Sequence, residues 1–242
     1  MGASTDLTQV VAALAHHVPL LAAVGWVVRI PLVSGEEGHE AITRAAWDGL
    51  DLTAERRRAL LRGVRAPDIS VAGLLTSALP FAQRRHALRA WSGTTTADGI
   101  LEMRGFMTAR HLRALALPDG PRRWATFGEV LHCLQDSYSP AHADRDGARI
   151  ARMKHWGPMD RLRGTRSSGP SSGPGTDEHR FPTDRRDRAL RGGILTDEGR
   201  AAAAASRRYL ELAIRHCATD EREELRRLGL TGFLDETSPT LP

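Results

Sequence analysis

Along most of the chain, apolar and polar positions recur with a helical period, and strand-like alternation is scarce. "SGEEGHEAITRAAWDGL" sets Ser34 and Glu37 at capping-box spacing, and an apolar stripe of Ile42, Ala45, Ala46 and Leu50 follows, so a helix begins near Gly35. The same reading predicts helices over about 53–63, 70–79, 82–91, 97–116, 122–139 and 196–216, with a short one near 220–229. Alanines 201–205 are a run of the strongest helix former. The expected fold class is all-α, a single-domain multi-helical bundle.

Two segments interrupt the pattern. "GTRSSGPSSGPG", within 164–175, is a flexible loop by composition. It divides parts of one domain rather than two domains, because the 67 residues beyond it hold one long helix. Val10 to Val33 is apolar, but His16, His17, Pro19 and Arg29 interrupt it, which argues against a stable membrane span. Residues 1–25 read as an N-terminal apolar segment, either an extra helix or a signal cleaved between Gly25 and Trp26. No Lys or Arg precedes the apolar run and Asp6 does, which favours retention. Retention implies a cytoplasmic address and cleavage a secreted one. The helical domain then covers 26–242.

Composition narrows the partners. A chain of 242 residues can bury a sizeable core, and 41% hydrophobic with 26% charged residues is ordinary for a globular protein. Aromatic residues make up only 5%, which limits stacking of bases on rings. The net charge of +5 comes from arginine, since Lys154 is the only lysine; it gives a mild preference for phosphate-bearing partners. Cys133 and Cys217 make no disulfide framework and read as small buried hydrophobes. There is no Gly-rich phosphate loop, HExxH, cysteine zinc knuckle or nucleophile elbow. No protein partner is expected.

The candidate chemistry lies in "GEVLHCLQDSYSPAHADRDG", residues 128–147. His132 and Asp136 are at i and i+4, on one helical face. That spacing suits two ligands on one cation, and equally a salt-bridged pair on a solvated face. The flanking Leu131, Leu134 and Tyr138 favour burial, where ionisable groups need a partner such as a metal. His142 follows Ser139 and Pro140, where the chain must leave the helix, so a turn can bring it back towards the same site. His111 and His216, on Arg-rich helices, are expected at the surface.

"LHCLQDSYSPAHA" resembles the metal-site helix of the zinc-dependent phospholipase C and single-strand-specific nuclease superfamily: His, three residues, Asp, five residues, His. "GHEAITRAAWDGL" looks like that family's first metal-binding helix, "RAPDIS" supplies an aspartate after a helix, and "QRRHALRA" supplies a further histidine, all in the family's order. The resemblance spans most of 26–147. It implies a metal cluster in a cleft between helices, with two or three zinc ions held by His39, Asp68, His86, His132, Asp136 and His142. By the same resemblance, His86, His132 and Asp136 hold one ion, and Asp136 bridges to a second that His39 also binds. Asp68 lies between metal and attacking water as ligand, orienting group or general base, so Asp68 and Asp136 are the expected catalytic carboxylates.

Two departures from the family's pattern matter. The family completes its last site with a histidine and an acid four residues on, whereas here His179 precedes Asp184 by five and His155 precedes Asp160 by five. His179 with Asp184 is preferred, because turn residues such as Pro182 absorb the extra residue; His155, beside Trp156, reads as packed or substrate-facing. Members also bind zinc through the amine of a processed N-terminal Trp. Trp26 stands thirteen residues before His39, but its amine exists only if residues 1–25 are removed; otherwise it is a core residue, and His16 or His17 are remote candidates.

The resemblance implies a zinc-dependent hydrolase of phosphate esters, a phosphodiesterase of phospholipase C type acting on a phospholipid, nucleic acid or small molecule. Arg84, Arg85 and Arg89 flank His86 and are candidates to neutralise phosphate. The alternatives are a single-strand nuclease or small-molecule phosphoesterase of the same fold, and an inactive metal-stabilised helical scaffold.

Overall fold

The helix carrying His132 and Asp136 is buried on nearly every side: from Gly128 to Asp136 only Glu129 is even partly exposed. A helix enclosed all round is the one the others pack upon, and any polar residue it carries must find a partner inside. A computed structural model describes residues 38–69, 83–90, 93–156, 178–179, 189–219 and 223–239. They belong to a unit spanning Gly38–Pro242, while Met1–Glu37 forms a unit of its own outside the described residues.

In chain order the elements are α1 (Gly38–Trp47), α2 (Ala54–Ile69), a 3-10 turn (Arg84–His86), α3 (Thr96–Ala116) and α4 (Pro121–Asp136). Then come β1 (Ala143–Asp146), β2 (Arg149–Met153), β3 (His155–Trp156), β4 (Glu178–His179), β5 (Leu190–Arg191), β6 (Ile194–Leu195), α5 (Asp197–Ala218) and α6 (Glu223–Thr237). The described residues are mostly helical, with three small two-stranded pairings: β1 with β2 and β5 with β6 antiparallel, β3 with β4 parallel. No helix among them is long and apolar enough to cross a membrane.

The central helix α4 packs most extensively on α2, and also meets α3, α5 and α1. Two glycines permit the closest of these contacts. A Cβ on Gly63 would lie 1.9 Å from the Ala125 carbonyl oxygen, and one on Gly128 would lie 2.8 Å from the Gly63 Cα. Backbone therefore meets backbone at this crossing. Around it Leu60, Val64, Ile100, Met103, Phe127, Leu131, Leu134, Tyr209 and Leu210 are fully or almost fully buried in one core. The ends are set by local chemistry. Thr95 and Asp98 form a reciprocal capping box on α3, Pro121 occupies the first turn of α4, and the Thr196 hydroxyl accepts from the Gly199 amide on α5.

Several boundaries differ from the sequence reading. The expected helix 53–63 continues through Pro67 to Ile69. The expected helix 82–91 is only the turn Arg84–His86, closed by Ala87 at φ 48, a left-handed conformation that costs a non-glycine residue roughly 1–2 kcal/mol. Leu88 N–H to the Gln83 carbonyl and the Cys133 thiol to the Arg84 carbonyl hold it. The helix expected over 122–139 stops at Asp136, and the short one near 220–229 runs from Glu223 to Thr237. The helical expectation holds for most of the described residues, and the small hairpin β1–β2 is an addition that the periodicity did not predict. Its two-residue loop places Gly147 at φ 59, as a type II′ turn requires. The expected helix 70–79 and loop 164–175 lie outside the described residues.

Candidate metal centre

Four separate elements bring five side chains to one point. His39 comes from the first turn of α1, Asp68 from the last turn of α2, His86 from the 3-10 turn, and His132 and Asp136 from the last turn of α4. His132 Nε2 lies 3.1 Å from Asp136 Oδ2, 3.0 Å from His86 Nδ1 and 3.7 Å from Asp68 Oδ1. His86 Nδ1 lies 3.3 Å from Asp136 Oδ2 and 3.7 Å from Asp68 Oδ1. On the other side, His39 Nε2 lies 3.1 Å from Asp136 Oδ1 and 3.8 Å from Asp68 Oδ2.

Both carboxylates thus divide their oxygens the same way. One oxygen of each faces the pair His86 and His132, and the other faces His39. The first side offers two nitrogens and two oxygens, and the second offers one nitrogen and two oxygens. His132 and Asp136 form a buried floor, their side chains 0% and 3% exposed, whereas His39 and Asp68 at 20% and 28% form the rim. The three-ligand side is therefore the one that meets solvent.

This donor set is of a kind that could hold a metal ion. His132 Nδ1 is 2.9 Å from the Val64 carbonyl, which can only accept, so Nδ1 donates there and the ring is held with Nε2 directed at the two carboxylates. Burial alone would raise the Asp136 carboxyl, but the imidazoles of His142, His132 and His39 outweigh it and hold that carboxyl well below the usual carboxylate range. Burial lowers the His86 imidazole, against the pull of its contact with Asp136. Contacts of 3.7–3.8 Å are too long for hydrogen bonds. On the buried side the ligand atoms as a set stand 3.0–3.7 Å apart, bracketing the separation of about 3.3 Å around a tetrahedral ion with bonds near 2.0–2.1 Å. Among the described residues, His39, His132 and Asp136, and likewise Asp68, His86 and His132, offer ligand atoms within 4.8 Å of one another. These residues could hold a metal ion.

The remaining expected residues fall differently. His142 Nδ1 is 3.7 Å from Asp136 Oδ2 but donates to the His86 carbonyl, so it steadies the turn that presents His86. Lys154 fixes His142 in turn: its N–H donates to the His142 carbonyl, and its buried ammonium reaches the Pro140 carbonyl and Asp144. His155 is buried. The backbone of His179 pairs with Trp156 in β3–β4, beside His155; Asp184, Asp160, Trp26, His16 and His17 lie outside the described residues. Arg84 is exposed and Arg85 half-buried, but Arg89 is buried and commits its guanidinium to the Met153 and Thr94 carbonyls, so it is not a phosphate ligand.

The surface assignment of His111 and His216 is wrong. Both are buried, with His111 Nε2 3.0 Å from His216 Nδ1 and His111 Nδ1 3.1 Å from the Tyr209 hydroxyl. Only His111 and its partners together show this; the arginines around them on α3 and α5 suggested a solvated face. Cys133 is buried as expected, and burial with the nearby Asp136 charge pushes its thiol up; Cys217 is only half-buried. Sequence reasoning also missed the polar partners of the cluster, Gln135 and Thr43. A glutamine wedged between Leu134 and Asp136 on an enclosed helix was the available signal.

No family model, curated protein or solved structure matches this chain.

Proposed function

We propose that the protein is a zinc-dependent hydrolase of phosphate esters, of the phospholipase C and single-strand nuclease type that its metal-site sequences resemble. One observation carries the reading: the two carboxylates Asp68 and Asp136 divide their oxygens identically between His39 and the His86–His132 pair. Two ions bridged by two carboxylates fit that division. His86 and His132 with one oxygen of each aspartate would hold the buried ion; His39 with the other two oxygens would hold the rim ion, whose incomplete protein shell suits a catalytic site.

Bound divalent ions supply Lewis acidity, which polarises a phosphoryl oxygen and brings the acidity of water towards neutrality. The chain's own residues do the rest. Asp136 is fully buried and held ionised, so it serves as a fixed bridging charge. Asp68, at the exposed rim, would share in holding both ions and so help to orient a water there rather than take its proton. The exposed Arg84 and half-buried Arg85, adjoining His86, add positive charge for an anionic ester.

The test is metal analysis combined with turnover of bis(p-nitrophenyl) phosphate, p-nitrophenyl phosphate, single-stranded DNA and phosphatidylcholine vesicles. The expected result is about two zinc ions per chain and cleavage of a diester that chelation abolishes and zinc restores. Zinc-saturated protein inert towards the whole panel sinks the proposal.

A further inference from the structure

The orientation of His39 is decided by residues that never reach the cluster. The Thr43 hydroxyl donates to the His39 carbonyl one turn back, at 2.7 Å. A carbonyl only accepts, so Thr43 Oγ1 is left as an acceptor and takes an N–H from the Gln135 amide at 2.9 Å. Ser206 Oγ, from α5, lies 3.3 Å from the same amide nitrogen. These two contacts fix which end of the Gln135 amide is which: the nitrogen faces Thr43 and Ser206, and Oε1 faces His39. Gln135 Oε1 lies 2.9 Å from His39 Nδ1 and only accepts, so Nδ1 carries the proton. His39 Nε2 is then the ring nitrogen directed at the rim side of the cluster, 3.1 Å from Asp136 Oδ1, and the one available to an ion there.

We infer that Gln135 is the positioning residue for the rim ion: pinned by Thr43 and Ser206, it selects the tautomer and ring orientation in which His39 can ligate. The inference rests on the two-ion reading above. Among the described residues His39 is the one nitrogen on the rim side, whereas the buried side takes its nitrogens from His86 and His132, whose Nδ1 is set independently by Val64. A fault at Gln135 therefore falls on one ion and spares the other. Gln135 also adjoins Asp136 in sequence, so α4 supplies both the bridging carboxylate and the group that aims its partner histidine.

The experiment is a zinc titration of the full chain by chelator competition, with wild type, Gln135→Met and Gln135→Glu. Methionine keeps length and apolar bulk but cannot accept from Nδ1–H; glutamate can. Wild type binds two ions. Q135M keeps the tighter site and loses roughly 10–100-fold in affinity at the second, the range for removing a ligand's outer partner. Q135E, which keeps the acceptor for Nδ1–H but lacks the N–H held by Thr43 and Ser206, recovers part of that loss. The proton spectrum of the zinc-loaded protein supplies a second readout: a downfield imidazole N–H resonance of His39 is present in wild type and Q135E and shifts upfield in Q135M. Unchanged second-site binding in Q135M overturns the inference, as does a loss in Q135E equal to that in Q135M; in either case wild type still binds two ions, so the two-ion reading survives. Wild type that binds no zinc overturns that reading instead. If Q135M does not fold, Thr43→Val decides: it removes the oxygen that pins the amide, a severalfold loss confined to the second site is expected, and unchanged binding overturns the inference.

Discussion

Gly63 on α2 and Gly128 on α4 touch backbone to backbone: a Cβ on Gly128 would stand 2.8 Å from the Gly63 Cα. The same approach lets His132 Nδ1, one turn on from Gly128, reach the carbonyl of Val64, which directly follows Gly63, and sets Asp68 opposite His132. The crossing thus links core packing to the geometry of the cluster.

Gly63→Ala is the direct test. In an unconstrained helix the change would favour folding by about 1 kcal/mol. Here the added methyl meets the Ala125 carbonyl at 1.9 Å, so the helices must separate, and overpacking costs about 3 kcal/mol or more. Denaturant unfolding should show that loss. Zinc affinity should fall with it, because the Val64 contact to His132 lengthens; a stable variant with native zinc binding refutes the account.

His132→Ala and Asp136→Ala should each weaken zinc binding by about 100-fold or more, beyond the loss expected for an outer-shell partner, and abolish ester cleavage. His39→Ala should differ, retaining one ion while losing turnover. Metal analysis after dialysis, paired with the diester assay, separates the two patterns. Full activity in both the His132 and Asp136 variants rejects the assignment.

The cluster joins segments from α1, α2, the 3-10 turn and α4, so an ion that binds only the folded chain stabilises it. At a free zinc concentration of 100 times Kd the gain is about 2.7 kcal/mol, a rise in Tm of roughly 5–10 °C for a chain of this size. Calorimetric scans with zinc and with chelator measure the difference, and coincident scans contradict it.

His111 should make the fold acid-sensitive. Burial, then the neighbouring His216 and Arg226, pull its pKa down to about 3. Between that value and the ordinary 6.5 the unfolded chain binds a proton that the folded chain does not. The contribution is therefore fully present above pH 6.5 and is lost as pH falls, at up to about 1.4 kcal/mol per pH unit. His111→Gln, which can still bond to a neighbour, should flatten the stability profile between pH 3 and 6.5 by about one proton's worth of slope. A profile with the wild-type slope shows that the group titrates normally.

The helices were legible because their apolar stripes are long: Thr96–Ala116 and Asp197–Ala218 fall within a residue or two of the periodicity. His132 and Asp136 were legible because i, i+4 spacing fixes a common face whatever surrounds it. His86 was placed on a helix because "QRRHALRA" has helical composition; a left-handed Ala87 leaves no mark in a sequence without glycine there. The hairpin was missed because its strands carry Asp144, Arg145 and Arg152 and a single β-branched residue, Ile150, although Asp146–Gly147 was a turn signal. Burial of His111 and His216 depends on α3, α5 and α6 meeting, and no local pattern records which helices meet. Pairing Gln135 with His39 spans 96 residues, a relation only the folded chain expresses.

Asp68 and Asp136 sit in the final turns of their helices, so α2 and α4 both direct their C-terminal ends to one place. A helix carries about half a negative charge at that end. Two such poles add to the negative charge of the two carboxylates at this point. On the proposed reading, a phosphate ester can approach only after cations have reversed that charge, which imposes an order of arrival: ions first, ester second.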